Sequence, residues 1–388
     1  MKTIWVAGAR PNFMKIAPIW RAMEAHNATS PAGVERFEPI LVHTGQHYDA
    51  NMSEVFFRDL RLPKPQYHLG VGGGSHAEQV AKILVSFEAI LEAERPDAVG
   101  VVGDVNSTCA CALATKKAHV LLDGQTPLLI HVEAGLRSGD RLMPEEINRL
   151  VTDAIADVLL TSEPSGTANL LAEGVPPEKV VFVGNVMVDS LLDTLARCQA
   201  RGTTEILGLD ADIRNGAYGL MTLHRPSNVD RPRALDSLMT ALAQISEKVP
   251  IFFPVHPRTR ARLESLPIMG DMAFHERNRL IVLDPLGYDD FVTLMHRAAF
   301  VITDSGGIQE ETTALGVPCL TLRENTERPI TVEVGTNVLL GQDTARLMAE
   351  VVEILEGRGK HGHVPALWDG QASERIVAVL ARWRAWRK

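Results

Sequence analysis

The 388-residue sequence has few cysteines, no excess of basic charge and no long apolar run, and each shortage removes a class of protein. Its four cysteines, Cys109, Cys111, Cys198 and Cys319, form no CxxC pair, and no histidine stands at zinc-ligand spacing from them. Cys109 and Cys111 fall in the small-residue helix "NSTCACALATKK" and read as buried packing. The net charge of −9 argues against a nucleic-acid surface, which concentrates Lys and Arg to meet phosphates. A small phosphorylated ligand stays open, because it needs only a local cluster of cations. No stretch approaches the ~20 apolar residues of a membrane span. The N-terminal "MKTIWVAGARP" breaks at Gly8, too short for a secretory core, so the expectation is a cytoplasmic protein without membrane insertion. Low-complexity segments and short internal repeats are missing too.

What is present is a chain that is 45% hydrophobic and long enough for roughly two domains. Short apolar runs alternate with helical patterns. "TIWVAG", "FEPILVHTG", "AVGVVGD" and "PLLIHVEAG" read as strands, with helices over roughly Phe13 to Ala25 and through "SHAEQVAKILVSFEAILEAE". The pattern restarts with "GAYGLMTLHR", "PIFFPVHP", "RLIVLDP", "AAFVITDSG" and "VPCLTL". Such alternation predicts an α/β protein of parallel units. The expected domains are 1–183 and 184–367, with the boundary near residues 180 to 186, and a last helix within 368–388. Two similar α/β domains imply a cleft that takes a polar ligand.

Several loops read as phosphate-handling pieces. "VAGARPNFMK" sets Gly8 and Arg10 directly after a strand, with Lys15 in the following helix. The glycine either admits a ligand or simply serves a tight turn, since the dinucleotide fingerprint G-x-G-x-x-G is lacking. "TLHRPSN" and "PVHPRTR" put His224 with Arg225, and His256 with Arg258, at strand ends that should reach the same rim of a sheet. In "DSGGIQEE", Ser305, Gly306 and Gly307 offer backbone N–H groups at a helix N-terminus, suited to a diphosphate. Glu310 and Glu311, one turn on, suit the hydroxyls of a ribose. Diphosphate and sugar hydroxyls together make a nucleotide. "ENTERP" adds Arg328, and Glu327 either binds hydroxyls or pairs with it.

The chemical pieces are carboxylates. Asp104 follows "VGVVG", Glu133 follows "LLIHV", and Pro144 opens a helix with Glu145, Glu146 and Arg149 in its first turns. First-turn acids are ordinarily dipole complements, which accounts for one of Glu145 and Glu146. Carboxylates in different surroundings can hold different protonation states and so act as acid and base.

Read together, "GARPNFMKIAP", "HTGQHYDANMS", "GDVNSTCA", "HVEAGLRSGD", "PEEINR", "TLHRPSN", "PVHPRTR", "DSGGIQEE" and "TERP" closely resemble the non-hydrolysing UDP-N-acetylglucosamine 2-epimerases. The motifs run in order from Gly8 to Pro329. The resemblance implies two Rossmann-like domains facing a central cleft in the GT-B-like arrangement, a C-terminal helix returning to the first domain, and a homodimer. It implies reversible interconversion of UDP-GlcNAc and UDP-ManNAc, with no nicotinamide cofactor and no metal. By motif, Asp104, Glu133, Glu145 and His224 match catalytic positions, and Lys15 and Arg149 match essential basic ones. Arg10, Arg225, His256, Ser305, Gly306, Gly307, Glu311 and Arg328 fall at UDP-sugar contacts, while Gln46 and His47 border a regulatory UDP-GlcNAc site. The chain departs from many members at Asn12, where they have glutamate, and at Leu142-Met143, which lack a tryptophan. "GARPNF" and "MPEEINR" also resemble relatives that epimerise UDP-2,3-diacetamido-2,3-dideoxyglucuronic acid.

The C2 hydrogen of GlcNAc is not beside a carbonyl, so a free carbanion has little to stabilise it. The resemblance implies anti elimination instead. UDP leaves C1, a carboxylate takes the C2 proton, and 2-acetamidoglucal forms. Protonation of the other face and re-addition of UDP complete the exchange. A hydrolysing epimerase and a GT-B glycosyltransferase are the rivals.

Overall fold

The protein is described from a computed structural model. Described are residues 1–31, 34–45, 60–118, 124, 126–198, 217–255, 257–266 and 279–382, without the side chains of Arg10, Pro226, Pro257 and Arg258. Gln46, His47, His256 and the Arg10 side chain thus lie outside the described residues.

Seven apolar runs form the first sheet: β1 (Lys2–Ala7), β2 (Glu38–His43), β3 (Tyr67–His68), β4 (Ala98–Val102), β5 (Leu128–Val132), β6 (Val158–Thr161) and β7 (Val180–Phe182). All pair in parallel, in the order β3-β2-β1-β4-β5-β6-β7. Six more make the second: β8 (Gly219–Thr222), β9 (Ile251–Pro254), β10 (Leu280–Leu283), β11 (Phe300–Thr303), β12 (Cys319–Thr321) and β13 (Asn337–Leu339), ordered β10-β9-β8-β11-β12-β13. Both are Rossmann-like, and the α/β expectation of two such domains holds. Strands covered by helices on both faces are largely apolar, and β4 and β5 are buried at every residue.

In both sheets the strand order reverses beside the first strand, between β1 and β4 and between β8 and β11. Ligands of open α/β sheets bind beyond the carboxyl ends of the strands at such a reversal. Each reversal is closed by a glycine beneath an aromatic ring. Trp5 pairs in register with Gly100, where a Cβ would come within 2.5 Å of the indole. Phe300 pairs with Gly219, where a Cβ would lie 2.5 Å from the phenyl ring.

The chain divides into two compact units, Met1–Ser190 with Ala366–Lys388, and Leu191–Pro365. The helix Arg10–Thr29 opens with Pro11 and contains Pro18. Pro18 has no N–H, so the carbonyl of Met14 loses its helical partner. The hydroxyl of Ser190 donates to that carbonyl instead, tying the helix Val186–Cys198 to the first unit. Asp189 in that helix accepts from the amides of Ala372 (3.1 Å) and Ser373 (2.7 Å), capping the helix Ala372–Leu380, which packs on Arg10–Thr29.

Candidate functional site

At the reversal of the first sheet, the turn after β1 is built by Asn12. Its side-chain oxygen accepts from the amides of Gly8 (3.0 Å) and Ala9 (2.8 Å), and its amide nitrogen donates to the Val102 carbonyl at the end of β4 (3.0 Å). Asn12 is therefore the clamp joining the turn after β1 to β4. One turn later, Lys15 Nζ sits 2.6 Å from Glu133 Oε2, with both side chains more than nine-tenths buried. Glu133 has a φ of 70°, in the left-handed region that non-glycine residues avoid. A strained backbone carrying a buried charge marks this position as more than packing. Gly103 closes the group with a φ of 65°; a Cβ there would lie 3.1 Å from Lys15 Nζ and 4.0 Å from Glu133 Oε1.

Asp104 follows Gly103 and is one-quarter exposed. Arg149, almost fully buried, pairs with its Oδ2 and, at 2.7 Å, with Glu146 Oε2. Asn148 holds the Asp104 carbonyl at 2.8 Å. Glu146 also accepts from the amides of Ser138 and Gly139, both at 3.0 Å. Burial opposes its ionisation, but the Ser138 and Gly139 amides and Arg149 outweigh it and hold the carboxyl below its ordinary range. Glu146 is therefore committed to the loop. The side chain of its neighbour Glu145, half-buried, has no hydrogen bond or ion pair among the described residues. Of the two first-turn acids, Glu145 is the one left for other work.

The pattern reading passed over His131, because it sits in an otherwise apolar strand. The ring is fully buried, with Nδ1 2.6 Å from Asp153 Oδ1 and Nε2 2.8 Å from the Gly103 carbonyl. Asp153 also accepts from Gly135 N (3.1 Å) and pairs with Arg137 (2.7 Å). Burial opposes its charge, yet His131 and Arg137 hold its carboxyl below the usual value. A polar residue inside an apolar parallel strand was the signal for it.

At the second reversal, Asp304 is fully buried and binds the turn after β8. It accepts from the amides of His224 (3.2 Å) and Arg225 (3.0 Å) and from Asn228 Nδ2 (3.0 Å). It also contacts His224 Nδ1 at 2.9 Å. The imidazole, 58% exposed, is thus held by Nδ1 and presents Nε2 outward. Arg225 Nε donates to the Asp304 carbonyl at 3.1 Å.

The helix Gly306–Leu315 begins at Ser305 without a side-chain cap, so its first-turn amides lack an intrahelical acceptor. A Cβ on Gly307 would meet nothing within 4 Å, whereas one on Gly306 would lie 2.8 Å from Glu327 Oε1. Glu311 is buried and accepts from the Tyr288 hydroxyl at 2.8 Å. Arg328, 7% exposed, lies 2.9 Å from Glu310 and 3.3 Å from Glu327. Glu327 also meets Arg323 at 2.7 Å. The two arginines outweigh its burial and keep it well below the carboxylate range.

Lys15 with Glu133, and Asp104 with Arg149, are thus brought together in one unit, and His224 and Arg225 with Ser305 to Gly307 in the other. Among the described residues, no group of three or more His, Cys, Asp or Glu side chains is gathered for a metal, and no helix is long and apolar enough to cross a membrane.

The chain is 39% identical over 382 residues to a UDP-N-acetylglucosamine 2-epimerase of Methanocaldococcus jannaschii, covering 98% of this chain and 99% of that one. It is 39% identical over 386 residues to the UDP-2,3-diacetamido-2,3-dideoxy-D-glucuronate 2-epimerase of Pseudomonas aeruginosa, covering 98% and 100%. The crystal structure of the M. jannaschii UDP-GlcNAc 2-epimerase in complex with UDP-GlcNAc and UDP matches with a TM-score of 0.83 at 38% identity, over 98% of this chain and 100% of that one. The family model for UDP-N-acetylglucosamine 2-epimerase matches residues 32–381, and the chain belongs to that family.

Proposed function

We propose that the protein interconverts UDP-GlcNAc and UDP-ManNAc by eliminating and re-adding UDP. The observation that carries this reading is the buried Lys15–Glu133 pair beside the Gly103–Asp104 turn at a sheet reversal. Lys15 sets an ammonium 2.6 Å from the buried Glu133 carboxylate, the group that takes the proton in this reading. In the reaction, the C1–O bond breaks and its electron pair leaves with UDP. A carboxylate takes the C2 proton and the C1=C2 bond of 2-acetamidoglucal forms. An acid then protonates the opposite face of C2, and a diphosphate oxygen re-adds to C1. Asp104, Glu133 and Glu145 share the proton transfers. His224, steadied by Asp304, holds the diphosphate or passes a proton to it. Arg149 acts from beneath, holding Asp104 in place.

The nucleotide is held by the second unit in this reading. The first-turn amides of Gly306 and Gly307 receive the diphosphate, with Ser305, Arg225 and Arg328, and Glu311 receives the ribose hydroxyls. Arg10 and His256 join the contacts on the resemblance alone, as do Gln46 and His47 at the regulatory site and the homodimer. A charged nucleotide sugar does not cross a bilayer unaided, which supports a cytoplasmic place of work.

The equal identity to the P. aeruginosa enzyme supports keeping the 2,3-diacetamido uronic form as the alternative substrate. Incubation of each sugar nucleotide in D2O, read by NMR and mass spectrometry, tests both readings. Deuterium at C2 of UDP-ManNAc is the expected result. An inert UDP-GlcNAc beside a converted uronic substrate would transfer the assignment, and product retaining protium at C2 would remove the elimination route.

A further inference from the structure

We propose that His131 and Asp153 are a positioning pair that sets the turns carrying Asp104 and Glu133. The inference rests on the assignment of those two carboxylates to proton transfer. His131 lies in β5, and the two partners of its ring come from different elements. A carbonyl can only accept, so Nε2 carries a proton and donates it to the Gly103 oxygen. The next residue in the chain is Asp104. On the other side of the ring, a proton lies between Nδ1 and Asp153 Oδ1 at 2.6 Å. The second oxygen of Asp153 accepts from Gly135 N, two residues beyond Glu133, and from Arg137. One continuous buried chain therefore runs from the Gly103 carbonyl, through His131 and Asp153, to the Gly135 amide.

The two turns have unusual backbones that need such support. Gly103 and Gly135 have φ of 65° and 81°, and Glu133 between them has 70°. Other bonds hold the same turns from outside, since Asn148 grips the Asp104 carbonyl and Arg149 its carboxylate. His131 and Asp153 touch neither Lys15 nor either proton-transfer carboxylate by any described bond. Their action is through the backbone, which separates them from the groups that meet the sugar.

Core filling alone would be served as well by an apolar ring of similar size. In that case His131→Phe should leave turnover intact. If the pair positions the acids, His131→Phe frees the Gly103 carbonyl and leaves Asp153 with only Arg137 and the Gly135 amide. A shift of about 1 Å in a catalytic group can cost on the order of 100-fold in rate. The double variant His131→Gln with Asp153→Asn should rebuild the chain without charge. Gln Nε2 would donate to Gly103, and Gln Oε1 would accept from the new asparagine amide, whose oxygen still faces Gly135.

The experiment measures kcat and KM with UDP-GlcNAc, UDP affinity by calorimetry and folding by circular dichroism, on the full chain. His131→Phe should lower kcat about 100-fold, with KM and UDP affinity within about threefold, and the double variant should recover about tenfold. Turnover of folded His131→Phe within about threefold of the parent would overturn the proposal, as would a double variant no better than the single. Should His131→Phe not fold, His131→Leu, which likewise removes both ring hydrogen bonds, takes its place with the same two outcomes. Exchange of C2 hydrogen by the parent in D2O is the control. A parent that turns over without exchange defeats the acid–base assignment itself, whereas an exchanging parent with an unaffected variant defeats only the positioning pair.

Discussion

The two sheets share strand order, reversal point and even the glycine-under-aromatic closure, but they spend their charges in opposite ways. In the first unit, the carboxylates at the reversal are met by cations of the same unit: Lys15 on Glu133, Arg149 on Asp104 and Glu146. In the second, the buried carboxylate at the reversal, Asp304, goes to backbone amides, Asn228 and one imidazole. Arg328 is already spent on Glu310 and Glu327, but the first-turn amides of Gly306–Leu315 have no intrahelical acceptor and Gly307 is bare. Topology sets where a ligand can sit, and side-chain charge sets what is done there. The first arrangement holds ionised groups in fixed geometry, as proton transfer demands. The second keeps donors unspent, as binding of an anion demands.

That contrast predicts separable defects. Glu133→Gln preserves shape and removes the base, so turnover per folded molecule should fall ~100-fold or more while calorimetric UDP affinity stays at the parent value. Loss of the buried partner of Lys15 should also lower the melting temperature, so activity is referred to folded protein. Glu311→Ala should do the reverse at the outset. UDP affinity should drop by roughly 1.5–3 kcal/mol, the scale of a lost charge-assisted hydrogen bond. Equal UDP affinity in Glu311→Ala and parent would end the assignment of ribose recognition to the second unit.

The glycine closures offer a symmetric probe. Gly100→Ala and Gly219→Ala each push a methyl within 2.5 Å of a buried ring. Overpacking of this kind costs about 1–3 kcal/mol, and the two variants should lose similar stability in urea unfolding. A large loss at Gly100 with none at Gly219 would show that the second sheet yields where the first does not.

Much of this was legible because parallel strands must be apolar and the loops after them must not be. The runs "TIWVAG" and "AAFVITDSG" announce both a strand and the functional turn that ends it. Asp104, Glu133 and the Ser305 to Gly307 turn stood out for that reason. What the residues alone could not show is which charges are already taken. Adjacent glutamates 145 and 146 look alike in sequence, and only the fold turns one onto Ser138, Gly139 and Arg149. Arg149 matches an essential basic residue and Arg328 a UDP contact by motif, yet both lie buried against carboxylates of their own unit. His131 was hidden by the strand around it, since periodicity registers apolar neighbours and not the partner 22 residues away. Asp304 ends the apolar run "AAFVIT", but its grip on the turn after β8 depends on pairing between strands far apart in the chain.

Acid unfolding gives the smallest effect and tests the carboxylate of the second unit directly. Burial by itself would raise the pKa of Asp304, but His224, Asn228 and Arg225 outweigh it and bring it below its ordinary 3.8. The unfolded chain therefore takes up this proton at a higher pH than the folded one. The stabilisation is complete above pH 3.8 and is lost as pH falls from there through the lowered folded value. Asp304→Asn abolishes that titration, so its stability should fall less steeply with acid than the parent's, by up to one proton, or about 1.4 kcal/mol per pH unit. Asp153 and Glu146 are also held below their ordinary values and remain in the variant, so the acid limb should flatten without vanishing. The measurement is the urea midpoint and slope at a series of pH values from neutrality down to about pH 2.5, spanning the ordinary carboxylate range. Parallel acid limbs for parent and Asp304→Asn would mean that Asp304 is not held ionised by the turn it binds, and the contrast between the two reversals would lose its second half.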